Sequence, residues 1–418
     1  MNAQTPVRGT HLVDAGRRLS AGAGWIARLV AGGFARVIDR IDAGLDHGSL
    51  LARLPDGSER LLGARAPGPD AQIELVNWNA ILRLATGGSV GWYQAWEAGE
   101  WNSPDPVQIF ALFMRNADVL GRVARAKGPW RLAGRAFNLV RRNHRKGARR
   151  NIAAHYDLGN DFYAAWLDPT MSYSSAMFDG GGDLAKAQIL KMERLVERLK
   201  LRPGASVLEI GCGWGALASR IADEPEVRVE AISLSDEQLG WARQRHGALN
   251  PRLAFQHRDY RDVSGQFDGV VSVEMVEAVG KQYWPEFFDC LSRCLRPGGR
   301  AALQFISIRD SLFDAYAASA DFIQTYVFPG GMLIRESAFR QLAAQRGLSW
   351  QDEVRFGADY AETLRVWREA FDRAVDEGRL PAGFDARFVR LWRYYLMYCE
   401  GGFRGGGIDV AQVTLVRT

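Results

Sequence analysis

The sequence predicts an α/β fold, a parallel sheet flanked by helices, preceded by a small α+β module. Two observations carry this expectation. From about Leu201 onward, short apolar runs alternate with stretches of helical spacing, the pattern of strands joined by crossover helices. The first of these runs, Val207-Leu208-Glu209-Ile210, leads directly into Gly211-Cys212-Gly213-Trp214-Gly215-Ala216, an apolar strand turning through three alternating glycines into a helix. A chain of 418 residues with 47% apolar residues is long enough for two core-forming units.

The elements follow in order. Residues 23–45 read as an amphipathic helix. A hairpin follows, with strands at 48–54 and 59–63 joined by a turn at Pro55-Asp56-Gly57. The Trp-rich stretch 77–116 has helical periodicity interrupted at Gly87-Gly88, and a turn signal at Asn102-Ser103-Pro104. In the C-terminal two-thirds, candidate strands are 206–210, 227–233, 253–256, 267–273 and 299–306. The expected organisation is an N-terminal module over 1–122, a linker over 123–150 and an α/β domain over 151–418, the last carrying an insertion at about 308–348.

Composition excludes several classes of function. No run approaches the roughly 18 apolar residues of a membrane span, and residues 1–20 lack the apolar core and cleavage site of a secretory leader. Cys212, Cys290, Cys294 and Cys399 are scattered. Cys290 and Cys294 have no second pair to complete a zinc site, so no metal is expected and reduced thiols in a cytoplasmic protein are. Net charge is only +5, yet eleven Lys or Arg residues fall between Arg122 and Arg150, with no acid from Val119 to Tyr156. Trp130, Leu132, Phe137 and Val140 are interleaved among them, the pattern of a helix apolar on one side and cationic on the other. Such helices lie on anionic membrane surfaces; a solvated linker helix is the plainer alternative, and no nucleic-acid motif is present.

The glycine loop admits two readings. Gly211, Gly213 and Ala216 satisfy a dinucleotide fingerprint, but the second strand ends at Ile232-Ser233-Leu234-Ser235, without the acid that grips an NAD ribose. Glu209, just ahead of the glycines, instead fits the loop that backs the amino-acid moiety of S-adenosylmethionine.

Longer motifs sharpen this. Asn151 to Tyr163 (NIAAHYDLGNDFY), Leu167-Asp168-Pro169-Thr170-Met171-Ser172-Tyr173-Ser174-Ser175, Asp259-Tyr260-Arg261-Asp262, Phe328-Pro329-Gly330-Gly331, Tyr360-Ala361-Glu362-Thr363-Leu364 and the stretch 392–412 resemble, in order, the cyclopropane fatty acid synthase family. The resemblance implies a Rossmann-like class I methyltransferase fold behind a lipid-associated module, acting at the inner face of the membrane, often as a homodimer. It implies that Gly211, Gly213 and Gly215 line S-adenosylmethionine, with Tyr173 and Ser174 closing over it. Ser233, Leu234 and Gln238 would meet its ribose and methionine parts, and Asp259 and Tyr260 would lie near the adenine. The implied reaction is attack by the cis double bond of an unsaturated phospholipid acyl chain on the sulfonium methyl, then loss of a proton from the resulting cation.

In ring-forming members of the family a bound bicarbonate takes that proton, held by a glutamate, a cysteine, a histidine, a tyrosine and backbone groups. Glu277 matches the glutamate, Tyr360 the tyrosine and Ile306 the residue offering its backbone. Ser175 stands for the cysteine, Gln304 for the histidine, and Ala278 for the histidine that often follows the glutamate. Serine and glutamine hydrogen-bond but bring no charge, so bicarbonate would be held weakly or not at all, leaving Glu277 as the base if a dry pocket raises its pKa. Methyl- or methylene-branched chains and furan precursors then stand beside a ring as products. A small-molecule methyltransferase and a non-catalytic lipid-binding protein are the competing classes.

Plainer roles exist for single residues. Glu277 could be a helix-start acid, a part that Glu274 could also play; Tyr360 could be a core tyrosine; His155 a hydrogen-bonding helix residue; Cys399 a packing residue. The aromatic stretch 310–332 is read as an acyl-tunnel wall.

Overall fold

A computed structural model of the protein describes residues 8–16, 31–120, 158–247, 250–319 and 321–418. Its contacts divide the chain into two compact units. One comprises the described residues of Met1–Arg141 together with Arg309–Pro329 and Ala382–Ile408; the other comprises those of Arg142–Ile308 with Gly330–Pro381 and Asp409–Thr418. The division differs from the expectation of a continuous 151–418 domain, because two later segments pack with the N-terminal residues. Their aromatic rings account for this. Phe322, in the stretch read as a tunnel wall, packs against Tyr93 at 5.0 Å and Tyr394 at 4.7 Å, and is fully buried.

The first unit holds a four-stranded sheet ordered β2-β1-β3-β4, with β1 Ser49–Arg53, β2 Glu59–Gly63, β3 Asp70–Leu75 and β4 Trp101–Asn102. The expected hairpin is β1–β2, antiparallel. β3 is an addition to the strands read from sequence: its strictly alternating burial belongs to a strand with one face covered, and Pro67-Gly68-Pro69 just ahead of it is the turn signal that bounds it. The Trp-rich stretch forms helix Asn79–Glu97, kinked at Gly88 where φ is 58° and ψ −138°, then helix Pro106–Arg115, capped by the Asp105 side chain on the Val107 amide. The helix read over 23–45 is observed as Ala31–Ala43; residues 17–30, His155 and the basic segment 122–150 lie outside the described residues.

The second unit is a seven-stranded sheet ordered β10-β11-β9-β8-β5-β6-β7. β5 (Ser206–Ile210), β6 (Arg228–Ser233), β7 (Leu253–His257), β8 (Phe267–Val273) and β9 (Leu295–Ile308) are the five strands read from sequence; β10 (Leu348–Arg355) and β11 (Ile408–Arg417) extend the sheet. β5 is parallel to both β6 and β8, and β8 to β9. The near-continuous burial along β5 and β8 is what strands covered on both faces require. Chain order reverses between β5 and β8, and a parallel sheet places its ligand crevice beyond the carboxyl ends of strands at such a switch. Among the described residues, no helix is long and apolar enough to cross a membrane.

Candidate active site

The loop after β5 is shaped by its glycines. Gly211, Gly213 and Gly215 all have positive φ, at 85°, 51° and 88°, where a side chain is strained. Two of them are also sterically required: a Cβ on Gly211 would meet Met275 at 2.7 Å, and one on Gly215 the Phe255 ring at 2.8 Å. A Cβ on Gly213 would meet nothing nearer than Gln238 Nε2 at 3.9 Å, so this glycine keeps open space above the loop. The contact between Gly211 and Met275 brings the loops after β5 and β8 together, on opposite sides of the switch.

Around this loop lie the groups expected to hold S-adenosylmethionine. Glu209 is buried on β5, and its Oε2 has no protein partner. Burial raises its pKa to about 8, against the opposing charge of Lys191. Ser174 is buried, its Oγ taking a 2.7 Å hydrogen bond from Lys191 Nζ and its carbonyl a 2.9 Å bond from Gln188 Nε2. Burial lowers the Lys191 pKa to about 8, offset by Glu274, Asp168 and Glu209. The Tyr173 ring sits among Tyr163, Trp166 and Trp367, with centroids 5.3–5.8 Å away. At the end of β6, Ser233 Oγ accepts from the Ser235 amide, Leu234 is half-buried, and buried Gln238 is fixed by its amide on Ser235 Oγ. Asp259 is committed to Arg261 through Nε at 2.8 Å and the backbone amide, so that pair offers little net charge. Tyr260 is buried, with its hydroxyl unpaired by protein and its pKa pushed up by burial. Open space above Gly213 and the orphaned Glu209 oxygen fit a polar, cationic ligand end. These residues suit S-adenosylmethionine.

The catalytic candidates are arranged differently from the expectation. Tyr360, Gln304 and Ser175 do converge on one carboxylate, but it belongs to Glu274. The Tyr360 hydroxyl donates to Glu274 Oε2 at 2.6 Å; Gln304 Nε2 and the Ser175 amide donate to Oε1 at 2.7 and 2.9 Å. The Ser175 hydroxyl turns away to the Ala176 carbonyl, so this residue contributes its backbone. Glu277 is held separately: its Oε1 accepts from the Ile306 amide at 2.5 Å, and its Oε2 is enclosed with no protein partner. Each glutamate is half-buried as a whole residue, and the Glu277 Oε2 is itself shut from water. Burial, then the neighbouring Glu274, raises the Glu277 pKa to about 8. Burial also raises that of Glu274, while Tyr360, Gln304, Ser175 and Lys191 pull it down.

Why Glu274 takes this place is visible in its backbone. It follows β8 directly and has φ 46°, a left-handed conformation of the kind that costs a non-glycine residue roughly 1–3 kcal/mol. Its amide still bonds to the Gln304 carbonyl of β9 at 2.8 Å, so the strand pairing continues while the side chain is redirected. Gln304 is itself oriented by Gln412 of β11, whose Nε2 donates to Gln304 Oε1 at 3.0 Å. Lys191, Gln188, Gln412 and Glu274 are the members that sequence reasoning did not place. Only Glu274, an acid at a strand end beside a candidate base, carried a local signal. Of the donors expected around a bicarbonate ion, the Ser175 amide, Gln304 and Tyr360 bond to the Glu274 carboxylate and the Ile306 amide to Glu277. Among the described residues there is no His, Cys, Asp and Glu group able to hold a metal.

Comparison with known proteins identifies the family. The mycolic acid cyclopropane synthetase family matches residues 143–413. Tuberculostearic acid methyltransferase UfaA1 of Mycobacterium tuberculosis (strain ATCC 25618 / H37Rv) is 41% identical over 80% of this chain and 80% of its own. The cyclopropane-fatty-acyl-phospholipid synthase of Escherichia coli (strain K12) is 35% identical over 83% of this chain and 88% of its own. Mycolic acid cyclopropane synthase CmaA1, solved with SAH and CTAB, superposes with a TM-score of 0.61 at 30% identity, over 64% of this chain and 98% of its own. With a glycine loop and buried carboxyl pair at the switch of a parallel sheet, and with these similarities, the chain belongs to the mycolic acid cyclopropane synthetase family of S-adenosylmethionine-dependent methyltransferases.

Proposed function

We propose that this enzyme alkylates the cis double bond of unsaturated phospholipid acyl chains. The observation that carries the reading is the enclosed carboxyl pair Glu274–Glu277, set across the switch from a glycine loop fit for S-adenosylmethionine. When bound, S-adenosylmethionine supplies an electrophilic methyl group. The acyl chain's π electrons form the new C–C bond and leave a carbocation on the chain, so no protein nucleophile is needed. Alignment and exclusion of water then fall to the protein. The packed rings of Tyr163, Trp166, Tyr173 and Trp367 keep the approach dry. Hydrogen bonds from Lys191 and Gln188 fix the 172–175 segment, and the carboxyl pair supplies a place for the departing proton.

The reading extends to an anionic membrane surface at the inner face of the membrane. Its support is the eleven basic residues of 122–150 with their interleaved aromatic and aliphatic side chains. Incubation of the purified protein with methyl-labelled S-adenosylmethionine and liposomes of cis-unsaturated phospholipid tests the reaction. Mass spectrometry should find one labelled carbon added to the acyl chains. Label absent from lipid, with cofactor binding intact, would redirect the assignment to a small-molecule substrate.

A further inference from the structure

We propose that Lys191 is a positioning residue of the cofactor site: by donating to Ser174 Oγ it turns the Ser174 hydroxyl hydrogen toward the carboxylate of bound S-adenosylmethionine. The inference rests on the reading that Ser174 closes over the cofactor, and it names what sets the direction of that residue's hydrogen bond.

Lys191 and Gln188 lie three residues apart on the helix Leu184–Leu199, so both belong to its buried face, with Leu184, Ala187, Met192 and Leu195. A lysine on a buried face is costly unless its charge has a partner or a task. Among the described residues, the hydrogen bond its amine makes is the 2.7 Å contact with Ser174 Oγ. Glu274, Asp168 and Glu209 act on the amine through their charge, without a hydrogen bond, and favour its protonated form against burial. Packing alone would be met by methionine, and an ion pair would set the amine against a carboxylate. A short contact with a neutral hydroxyl answers to neither.

An ammonium carries donors only. Ser174 Oγ therefore accepts, and its one hydrogen must go elsewhere. Among the described residues no group accepts that hydrogen, although Ser174 is buried and a buried donor left unpaired is costly. A ligand acceptor completes the arrangement. Of the two ends of the cofactor's amino-acid moiety, the carboxylate accepts and the ammonium only donates, so Ser174 reads the carboxylate. Glu209 Oε2, buried on β5 with no protein partner, is an acceptor and suits the ammonium. One donor and one acceptor thus tell the two ends apart, and Lys191 fixes which way the donor points.

The backbone around Ser174 is held independently of Lys191. Gln188 Nε2 donates to the Ser174 carbonyl at 2.9 Å and reaches the Ser172 carbonyl at 3.5 Å. Loss of the lysine amine therefore leaves the segment anchored while the Ser174 hydroxyl becomes free to rotate. Lys191→Met fills the same face without a donor. Lys191→Gln places there an amide that accepts as well as donates, so the hydroxyl hydrogen can turn back to it and away from the ligand.

The experiment titrates the full-length protein calorimetrically, at neutral pH, with S-adenosylhomocysteine and with its decarboxylated analogue, which keeps the ammonium and lacks the carboxylate. Wild type should prefer S-adenosylhomocysteine by about tenfold or more, the effect of one hydrogen bond to a charged group. Ser174→Ala and Lys191→Met should each lose about tenfold of that preference, and the double variant no more than either alone, because the lysine acts through the serine. Affinity for the decarboxylated analogue should change little in any of them, which a collapsed site would not allow. Lys191→Gln, polar and similar in length, carries the same test if Lys191→Met does not fold, and should lose the preference likewise. Full preference in the folded Lys191 variants would overturn the proposal, as would additive losses in the double variant or an equal loss of affinity for both ligands. Full preference in Ser174→Ala would strike the reading that Ser174 meets the cofactor, and the proposal with it.

Discussion

At the scale of single residues, the two glutamates at the end of β8 differ in what holds them. Glu274 takes three hydrogen bonds and Glu277 one, so more donors oppose the rise that burial gives the Glu274 pKa than oppose it at Glu277. This has a consequence for stability. The folded pKa of Glu277, about 8, is above the unfolded reference of 4.5. Between those values the folded state therefore keeps a proton that the unfolded chain releases. Stability falls as pH rises through that window, by up to about 1.4 kcal/mol per pH unit for one group. Replacement of Glu277 by Gln removes this term, so the variant should gain stability relative to wild type between pH 5 and 8. Parallel urea titrations read the difference directly, with the contribution of Glu209 cancelling. Identical pH slopes would show that Glu277 is not held protonated.

A glutamine there also mimics the neutral acid and can still accept from the Ile306 amide.

At the scale of elements, the loop between β5 and the helix Ala216–Ala222 divides its glycines between ligand and fold. Gly213 faces open space, whereas Gly215 faces the Phe255 ring and Ala242 Cβ. Gly213→Asn, a residue that tolerates the left-handed backbone, should therefore leave the unit folded and weaken S-adenosylhomocysteine binding by more than tenfold, measured calorimetrically. Gly215→Ala should instead destabilise the unit by about 1–3 kcal/mol in urea unfolding, from a positive φ together with a 2.8 Å contact. Unchanged affinity in the first variant would remove Gly213 from the cofactor site.

The elements also show how far local reading reaches. β5 through β9 were legible because a buried parallel strand is a short apolar run bounded by turns, and Glu209 with the three glycines has a spacing found within one loop. β11 was not. Its inward residues include Gln412 and Thr414, both fully buried, and polar residues inside a strand hide its apolar run. Those buried groups have defined partners: Gln412 bonds to Gln304 and to the Lys191 carbonyl, and Arg198 reaches both Gln412 and Thr414.

At the scale of the whole molecule, the charge distribution bears on where the reaction occurs. Eleven cations within 122–150 are far in excess of the chain's net charge of +5. Each basic side chain near an anionic surface contributes roughly 1 kcal/mol, over a range set by the Debye length, about 8 Å at physiological ionic strength. The protein should float with liposomes containing anionic phospholipid and be released by high salt. Replacing four of the arginines of 122–150 by Gln should weaken flotation without altering S-adenosylhomocysteine affinity. Flotation indifferent to both salt and these substitutions would remove the basic segment from membrane binding.

What the sequence determined by itself was the set of locally encoded features: the β–α alternation, the glycine loop with Glu209 ahead of it, the hairpin β1–β2, and the residue types of the site. Each follows from neighbours close in the chain, through turn sterics and the periodicity of burial. Tertiary structure decided the rest. Residues 309–329 and 382–408 group with the N-terminal residues because aromatic packing between distant segments is unrelated to their order in sequence. The same holds within the site. Tyr360, Gln304 and the Ser175 amide could each have faced either glutamate, three residues apart. The left-handed turn at Glu274 and the pairing of β8 with β9 brought the donors to Glu274, and left Glu277 to the Ile306 amide.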